Sequence, residues 1–131
     1  MADPGHSAFD LGGTYVHLRD GLAAAPVPVG ADFWQTIDAR TDLEEGRLVM
    51  VNRMADDWPH WEMHPAGDEI VYLLSGAMDL VLDEAGGART VRLRAGEAVI
   101  VPKGIWHRGI VHRAGEALFI TPGAGTQHRP R

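Results

Sequence analysis

The chain has 131 residues, a net charge of −6 and a hydrophobic fraction of 45%, which together indicate one globular domain with a packed core. The acidic balance argues against nucleic acid as a general partner. The chain contains no cysteine, so disulfides, thiolate metal ligands and thiol nucleophiles are excluded.

The first 46 residues are predicted to form an extension ahead of a strand-rich region. The first ten residues lack a basic start and an apolar run, so no ordinary signal peptide is expected, and no segment approaches the ~20 apolar residues of a membrane span. We therefore predict a cytoplasmic protein with no membrane partner. Residues 14–19 alternate like a strand, residues 23–30 are a proline-rich connector, and Asp32 is a candidate N-cap for one short helix through about Ala39.

From residue 47 onward the sequence predicts short strands separated by turns that contain glycine. The predicted strands are 47–53, 58–64, 69–75, 77–83, 89–94, 98–101, 106–112 and 116–121. Many short strands with regular turns are typical of a β-sandwich or barrel. We expect one domain overall, with an extension over 1–46, a barrel over 47–121 and a polar, loosely ordered tail over 122–131.

Glu62 and His64 are the first candidate metal ligands. They are two residues apart on a predicted strand, so their side chains point to the same face. The composition of residues 65–68 predicts a turn, and Glu69 begins the next strand. A tight turn between antiparallel strands would bring Glu69 back beside His64.

His107 is the candidate ligand from a distant segment. Pro102 and Gly104 predict a turn, after which His107 lies on a strand that alternates with Trp106. Two imidazoles and one carboxylate are sufficient for the three-ligand facial arrangement that suits non-haem Fe(II) and leaves coordination positions open. Glu62 would add a second carboxylate.

The two segments resemble the two sequence motifs of the cupin superfamily. The residues that fit the second motif are Gly96, Pro102, Gly104 and His107, and those that fit the first are His64, Glu69 and Gly76. Glu62 departs from the pattern, because the family usually has a histidine at that position. The resemblance spans roughly residues 47–121. It implies an all-β, double-stranded β-helix (jelly-roll) barrel of the small single-domain kind, with one short N-terminal helix.

The two-histidine, one-carboxylate ligand set with open positions predicts a metal-dependent enzyme that acts on a small organic molecule. The expected cofactor is one divalent ion, Fe, Mn, Ni or Zn, held by Glu62, His64, Glu69 and His107. Fe(II)-type dioxygenase chemistry is the leading prediction. One alternative is a metal-dependent isomerase or lyase in which Glu62 moves a proton, and another is a non-catalytic cupin that binds a metabolite or a metal.

Glu62 leaves three roles open from the sequence. It is a fourth metal ligand, a catalytic general acid or base beside the ion, or a relic in a barrel that no longer binds metal tightly. The same-face argument that joins it to His64 supports the first two roles.

Alternation along the strands separates the surroundings of the site from the outer face. Trp61, Met63 and Trp106 have the opposite parity to the ligands and should pack on the outer face of the barrel or at a subunit contact. This apolar face, together with a strand near 14–19 that could be lent to a neighbour, predicts a homodimer.

The same parity argument predicts the wall of an apolar substrate pocket. The residues expected to line it are Val71, Leu73, Gly109 and Val111, with Met78, Leu80 and Leu82 sharing a face on the following strand. Trp58 has ligand parity and could lie at the mouth of the pocket. His60 is expected to be exposed or to contact a ligand residue, and His128 is expected on the surface.

Overall fold

The computed structural model describes residues 7–131, which fold into eleven strands and one short α-helix. The strands are β1 (Thr14–Leu18), β2 (Ala24–Pro28), β3 (Arg47–Met54), β4 (His60–Met63), β5 (Glu69–Leu73), β6 (Ala77–Glu84), β7 (Gly87–Arg94), β8 (Ala98–Val101), β9 (Trp106–Arg113), β10 (Gly115–Thr121) and β11 (Gln127–Pro130). The helix α1 spans Phe33–Thr36, and 3-10 turns follow at Ile37–Ala39 and Thr41–Leu43.

The strands form two antiparallel sheets, which confirms the predicted all-β jelly roll. One sheet has six strands in the order β2-β1-β3-β10-β5-β8, and the other has five in the order β11-β4-β9-β6-β7. From β3 onward the chain passes repeatedly from one sheet to the other. Residues that are far apart in sequence therefore meet between the sheets.

The N-terminal extension is more ordered than the sequence analysis predicts. The prediction of a proline-rich connector over 23–30 is wrong for Ala24–Pro28, because these residues form strand β2, which pairs with β1. The prolines are tolerated because β2 lies at the sheet edge. The predicted helix is shorter than expected, and Asp32 makes no side-chain capping hydrogen bond. The helix is held instead by buried Phe33, whose ring packs edge-on against Tyr15 at 5.4 Å.

The C-terminal tail also departs from the prediction. Residues Gln127–Pro130 form β11, which pairs with β4 along its free edge, whereas the sequence predicted a loosely ordered segment. The unpaired backbone groups of an edge strand favour this pairing. The division at residues 46 and 121 stays a prediction, and residues 1–6 of the predicted extension lie outside the described residues.

The core lies between the two sheets. Its most buried members include Val71 and Leu73 from one sheet and Met78, Leu80 and Leu82 from the other, each no more than 1% exposed. None of the helices in residues 7–131 has the length and apolarity needed to cross a membrane.

Gly76, which ends the first motif, stands at a tight turn. Its φ is +87°, a region that side-chain-bearing residues rarely adopt. A Cβ there would lie 2.5 Å from the Arg113 carbonyl oxygen, so this position requires glycine.

Candidate metal centre

Four predicted ligand residues converge at one end of the space between the sheets. Glu62 lies on β4 directly opposite His107 on β9, and His64 follows the end of β4. Glu69 is the first residue of β5, in the other sheet. The predicted hairpin between His64 and Glu69 is therefore wrong, because residues 65–68 cross between the sheets. The predicted proximity of the two side chains is nevertheless observed.

The distances between these side chains are short. His107 Nε2 lies 3.1 Å from Glu69 Oε1, and His64 Nε2 lies 3.3 Å from Glu69 Oε2. His64 Nε2 is 3.9 Å from Glu62 Oε2. When one ligand atom is taken from each of Glu62, His64 and His107, the three atoms all lie within 4.8 Å of one another. These three residues form a possible metal site, with Glu69 between the two imidazoles.

The hydrogen bond of His107 Nδ1 determines that the lone pair of the neutral ring is on Nε2. Nδ1 lies 3.0 Å from the Ile105 carbonyl oxygen, and a carbonyl can only accept, so Nδ1 carries the proton. In the neutral ring, Nε2 then presents its lone pair to the site. A backbone carbonyl in this position is a common way to orient a metal-binding histidine.

His64 is oriented in the same way by a loop that precedes β11. Its Nδ1 lies 2.8 Å from Thr126 Oγ1, and this hydroxyl donates its hydrogen to the Gly123 carbonyl at 2.9 Å. The hydroxyl oxygen must therefore accept from His64 Nδ1–H. Both imidazoles consequently direct Nε2 toward Glu69. Thr126 was not identified from the sequence, because nothing in its neighbourhood indicates a return to the site.

Glu69 is a buried carboxylate whose Oε2 also accepts a hydrogen bond from the Thr121 hydroxyl at 2.6 Å. Burial would raise the pKa of Glu69, but the short contacts with the His107 and His64 rings, and their charges, outweigh burial and lower it to about 2. Burial likewise opposes charge on His107, but the contact with Glu69 raises the pKa of His107.

The polar atoms at the centre of the cluster fit a divalent ion. His64 Nε2, His107 Nε2 and Glu69 Oε1 are buried and, within residues 7–131, make no hydrogen bond of acceptable geometry. Buried polar atoms without partners are costly. Two imidazole nitrogens and a carboxylate oxygen are donors suited to Fe, Mn, Ni or Zn, and an ion would satisfy all three at once.

Glu62 differs from Glu69 in its exposure. Its side chain is 34% exposed, against 3% for Glu69. Oε2 faces His64, whereas Oε1 lies 3.5 Å from Nε2 of His128 on β11. Glu62 therefore stands at the boundary between the buried cluster and the open cavity. His128 was predicted as an ordinary surface residue, and it is 56% exposed, but β11 brings it beside Glu62.

A cavity of about 770 Å³ opens onto this cluster, a size that suits a small organic molecule. Its wall comes from the N-terminal segment at Trp34–Glu44, from the inward face of β3, from Phe119 and Thr121 on β10, and from the loop at 123–126. His60 is exposed at this cavity, with its ring centroid 6.5 Å from that of His128.

The predicted pocket wall is a wrong prediction. Val71 and Leu73 belong to the fully buried core, and so do Met78, Leu80 and Leu82, while neither Gly109 nor Val111 lines the cavity. Strand parity correctly predicted which side chains point between the sheets. It does not predict how deep in the barrel each side chain lies, and the inward residues farther along these strands fill the core instead of lining the cavity.

Trp58 does line the cavity, as its parity suggested. Its ring lies 6.0 Å from the His107 ring and 6.1 Å from the Phe119 ring, and its Nε1 points to Met54 Sδ at 3.4 Å. A Cβ on Gly109 would lie 2.7 Å from Trp58 Nε1. Glycine at position 109 therefore leaves the space in which the indole packs beside His107.

The aromatic residues of opposite parity lie away from the site, as predicted. The guanidinium of Arg129 lies over both the Trp61 ring, at 5.3 Å, and the Trp106 ring, at 4.6 Å, and Arg108 lies 5.3 Å from Trp61. Arg129 also pairs with Asp83. We call Trp61, Trp106, Arg108 and Arg129 the outer aromatic cluster. The homodimer that this face suggested stays a prediction.

Comparison with known proteins gives a family. A family model described as the cupin domain matches residues 47–121, the span over which the motifs were found. A comparison with curated proteins found no match. Among solved structures, a cupin-2 domain containing protein from Shewanella frigidimarina is similar, with a TM-score of 0.50 and 19% identity, over 66% of this chain and 72% of that chain.

Two enzymes are also among the similar structures. A hydroquinone 1,2-dioxygenase in complex with Cd²⁺ and 4-hydroxybenzonitrile has a TM-score of 0.50 and 22% identity, over 58% of this chain and 57% of that chain. A recombinant oxalate oxidase in complex with glycolate has a TM-score of 0.53 and 18% identity, over 63% of this chain and 45% of that chain. At these identities the similarity establishes a shared fold.

Proposed function

This chain belongs to the cupin domain family, and from that premise we propose that it is a metal-dependent enzyme acting on a small organic molecule by Fe(II)-type dioxygenase chemistry. The observation that carries the proposal is the set of three buried ligand atoms, on His64, Glu69 and His107, that converge without hydrogen bonds of acceptable geometry among the described residues. Such a set is what a facial metal site requires.

The proposed ligands are His64, Glu69 and His107, with Glu62 as a fourth. An Fe(II) ion held by such residues supplies the redox chemistry that adds oxygen from O₂ to an organic substrate. The protein's part is to hold each donor atom in place. The Ile105 carbonyl orients one imidazole, and hydroxyl groups orient the other imidazole and the buried carboxylate.

The cavity wall beside the ligands supports chemistry that must be protected from water. Trp58 and Phe119 present ring faces and edges, and Met50 adds an apolar side chain from β3. An apolar wall next to a polar floor binds the substrate body and excludes bulk water from the reacting atoms. The two oxygen-using enzymes with similar structures are compatible with this proposal through the fold that they share with this chain.

The proposal is tested on protein purified without added metal. We expect one divalent ion per chain by elemental analysis. After anaerobic reconstitution with Fe(II), we expect nitric oxide, which imitates O₂, to give the electron paramagnetic resonance signal of an Fe–nitrosyl complex. The His64→Ala variant should lose both the ion and the signal. The matched control is His112→Ala, because His112 is exposed and pairs with Asp79 away from the site. Full metal content in His64→Ala would contradict the assignment.

A second candidate function follows from the position of Glu62. Its partly exposed carboxylate faces both the ligand cluster and the cavity, which is where a general acid or base would stand. In that case the enzyme is an isomerase or lyase, in which the ion acts as a Lewis acid and Glu62 moves the proton.

The Glu62→Gln variant separates the roles of this residue. If Glu62 is a ligand, the loss of its charge beside a cation should weaken metal binding measurably. If it is an acid or base, metal content should be retained and turnover should fall roughly 10²–10⁴-fold. Substrate turnover under anaerobic conditions would favour the isomerase or lyase, whereas O₂ uptake that depends on substrate would favour the dioxygenase.

A further inference from the structure

Asn52 interrupts an otherwise apolar row in the cavity wall. Leu48, Met50, Asn52 and Met54 alternate along β3, and all four line the cavity. Asn52 is half-buried, so a molecule in the cavity can reach its amide. Position 52 also carries the one asparagine of the whole sequence. The role of the amide depends on which hydrogen bonds its oxygen and its nitrogen make.

The oxygen of Asn52 is used by Tyr15. The Tyr15 hydroxyl donates to Asn52 Oδ1 at 2.8 Å across neighbouring strands of the sheet. Tyr15 is 2% exposed. Burial raises the pKa of Tyr15, against a smaller opposing effect of a hydrogen bond with Trp34, so the phenol keeps the proton that it donates. This bond fixes the amide plane and decides which end is free.

The nitrogen of Asn52 is the free end. Nδ2 has two N–H donors, and among residues 7–131 the one side-chain hydrogen bond of this amide is the bond that Oδ1 accepts from Tyr15. The surrounding wall contains Met50, Met54 and the rings of Trp58 and Phe119. A donor pair held in fixed orientation within an apolar wall is the usual form of a group that selects one polar atom on a ligand.

The charges around the cavity indicate what kind of acceptor fits. Asp38 and Glu44, which are both exposed, line the cavity together with Glu62 and Glu69. Arg40 also lines the cavity, but its guanidinium is bound by both carboxylate oxygens of Asp42, at 2.9 and 3.0 Å. The cavity thus has no free positive charge from Arg40 to attract an anion. An uncharged amide donor in this setting matches an uncharged acceptor oxygen.

We propose that Asn52 determines substrate specificity by donating from Nδ2 to a neutral acceptor oxygen, such as a ketone or amide carbonyl, on a substrate with an apolar body of aromatic size. The body packs against Trp58 and Phe119, and Tyr15 acts as the positioning residue for the amide. This inference rests on the proposed function, since it concerns the substrate of the same cavity.

The test uses Zn²⁺-loaded protein and two probes of nearly equal shape, 1-indanone and indane, which differ in one carbonyl oxygen. The side-chain amide region of a ¹⁵N-labelled sample contains one asparagine pair, from Asn52, and two glutamine pairs, from Gln35 and Gln127. We expect 1-indanone to shift the Asn52 signals in a saturable way and to leave the exposed glutamine signals unmoved. Indane should leave the Asn52 signals nearly in place.

Variants then measure how much the contact contributes. Asn52→Leu keeps the size of the side chain and removes the donor, so we expect about tenfold weaker binding of 1-indanone, the usual contribution of one hydrogen bond, with little change for indane. Tyr15→Phe should reduce the preference for 1-indanone by a smaller factor, because the amide loses its orienting bond.

Three results would overturn the inference: Asn52 signals that do not respond to 1-indanone, equal affinity of the wild-type protein for both probes, or equal weakening of both probes by Asn52→Leu. The first two need no variant and so do not depend on how Asn52→Leu folds. Zinc content, measured on the same samples, tests the metal centre separately. A protein that binds no zinc but whose Asn52 signals select 1-indanone would contradict the proposed metal centre and support the role of Asn52.

Discussion

Strands β4 and β9 present two opposite faces with different chemistry. Inward, Glu62 and His107 face each other across the strand pair and join the buried ligand cluster. Outward, their neighbours Trp61 and Trp106 hold Arg129 between their rings. On the outer face Arg129 is paired with Asp83, and only Arg108 Nε of the outer aromatic cluster is a buried polar atom without a hydrogen bond among the described residues. On the inner face three such atoms, on His64, Glu69 and His107, converge on one point, and this convergence makes the inner face the candidate functional one.

The largest effect should come from removing a proposed ligand on the inner face. His107→Ala deletes a buried donor, and we expect the affinity for a divalent ion to fall by more than about 100-fold, because changes to groups that merely orient ligands already cost 10–100-fold. The measurement is isothermal titration with Zn²⁺. His112 lies on the exposed end of the same strand, so His112→Ala is the matched control. Equal zinc affinities in the two variants would contradict a metal-binding role for the inner face.

A smaller effect is expected from the residue that orients His64. Thr126→Val keeps the shape of the side chain but removes the oxygen that accepts from His64 Nδ1. We expect zinc affinity to fall by about 10–100-fold while the fold is retained. Thr90 is exposed on β7, and Thr90→Val should leave affinity unchanged. Unaltered binding in Thr126→Val would mean that His64 is oriented by packing alone.

The inner face should also respond to pH in a defined direction. Burial opposes charge on His107, but the contact with Glu69 raises the pKa of His107, so a proton competes with an ion for Nε2. Glu69, with a pKa of about 2, is already ionised at neutral pH. Metal affinity should therefore fall as pH falls, by about tenfold per pH unit below the His107 pKa for the one displaced proton. Zinc titrations in buffers between about pH 5 and 8 measure this slope, and a flat profile would contradict it.

The smallest effect is expected on the outer face, and it should not reach the metal. Arg129→Met removes two cation–π contacts and the pairing with Asp83. We expect unfolding free energy to fall by about 0.5–2 kcal/mol, measured by urea denaturation, with zinc content unchanged. Arg113 is exposed at the end of β9, and Arg113→Met serves as the control. Loss of zinc in Arg129→Met would show that the two faces are coupled.

The sequence alone predicted the jelly roll, through its resemblance to the cupins, and the candidate ligand residues. Period-two alternation and glycine-containing turns indicated most of the strands from residue 47 to 121, because these signals are local. The shared face of Glu62 and His64 on one strand, and the match of His64, Glu69 and His107 to the two cupin motifs, indicated a metal site. Parity also separated Trp61 and Trp106 from the inner face, since it follows directly from the geometry of a strand.

Tertiary structure decided what depends on distant partners. Local patterns did not predict strand β11, which pairs along the free edge of β4. They also did not predict that Thr126, the residue before β11, would place its hydroxyl beside His64. The sequence placed the cavity wall on Val71 and Leu73, whereas it lies on β3, β10 and the segment Trp34–Glu44. Alternation tells which face a side chain is on, but depth along the barrel is set by how the two sheets close around the core. That closure depends on contacts between residues far apart in the chain. It also places the Asn52 amide in the cavity wall.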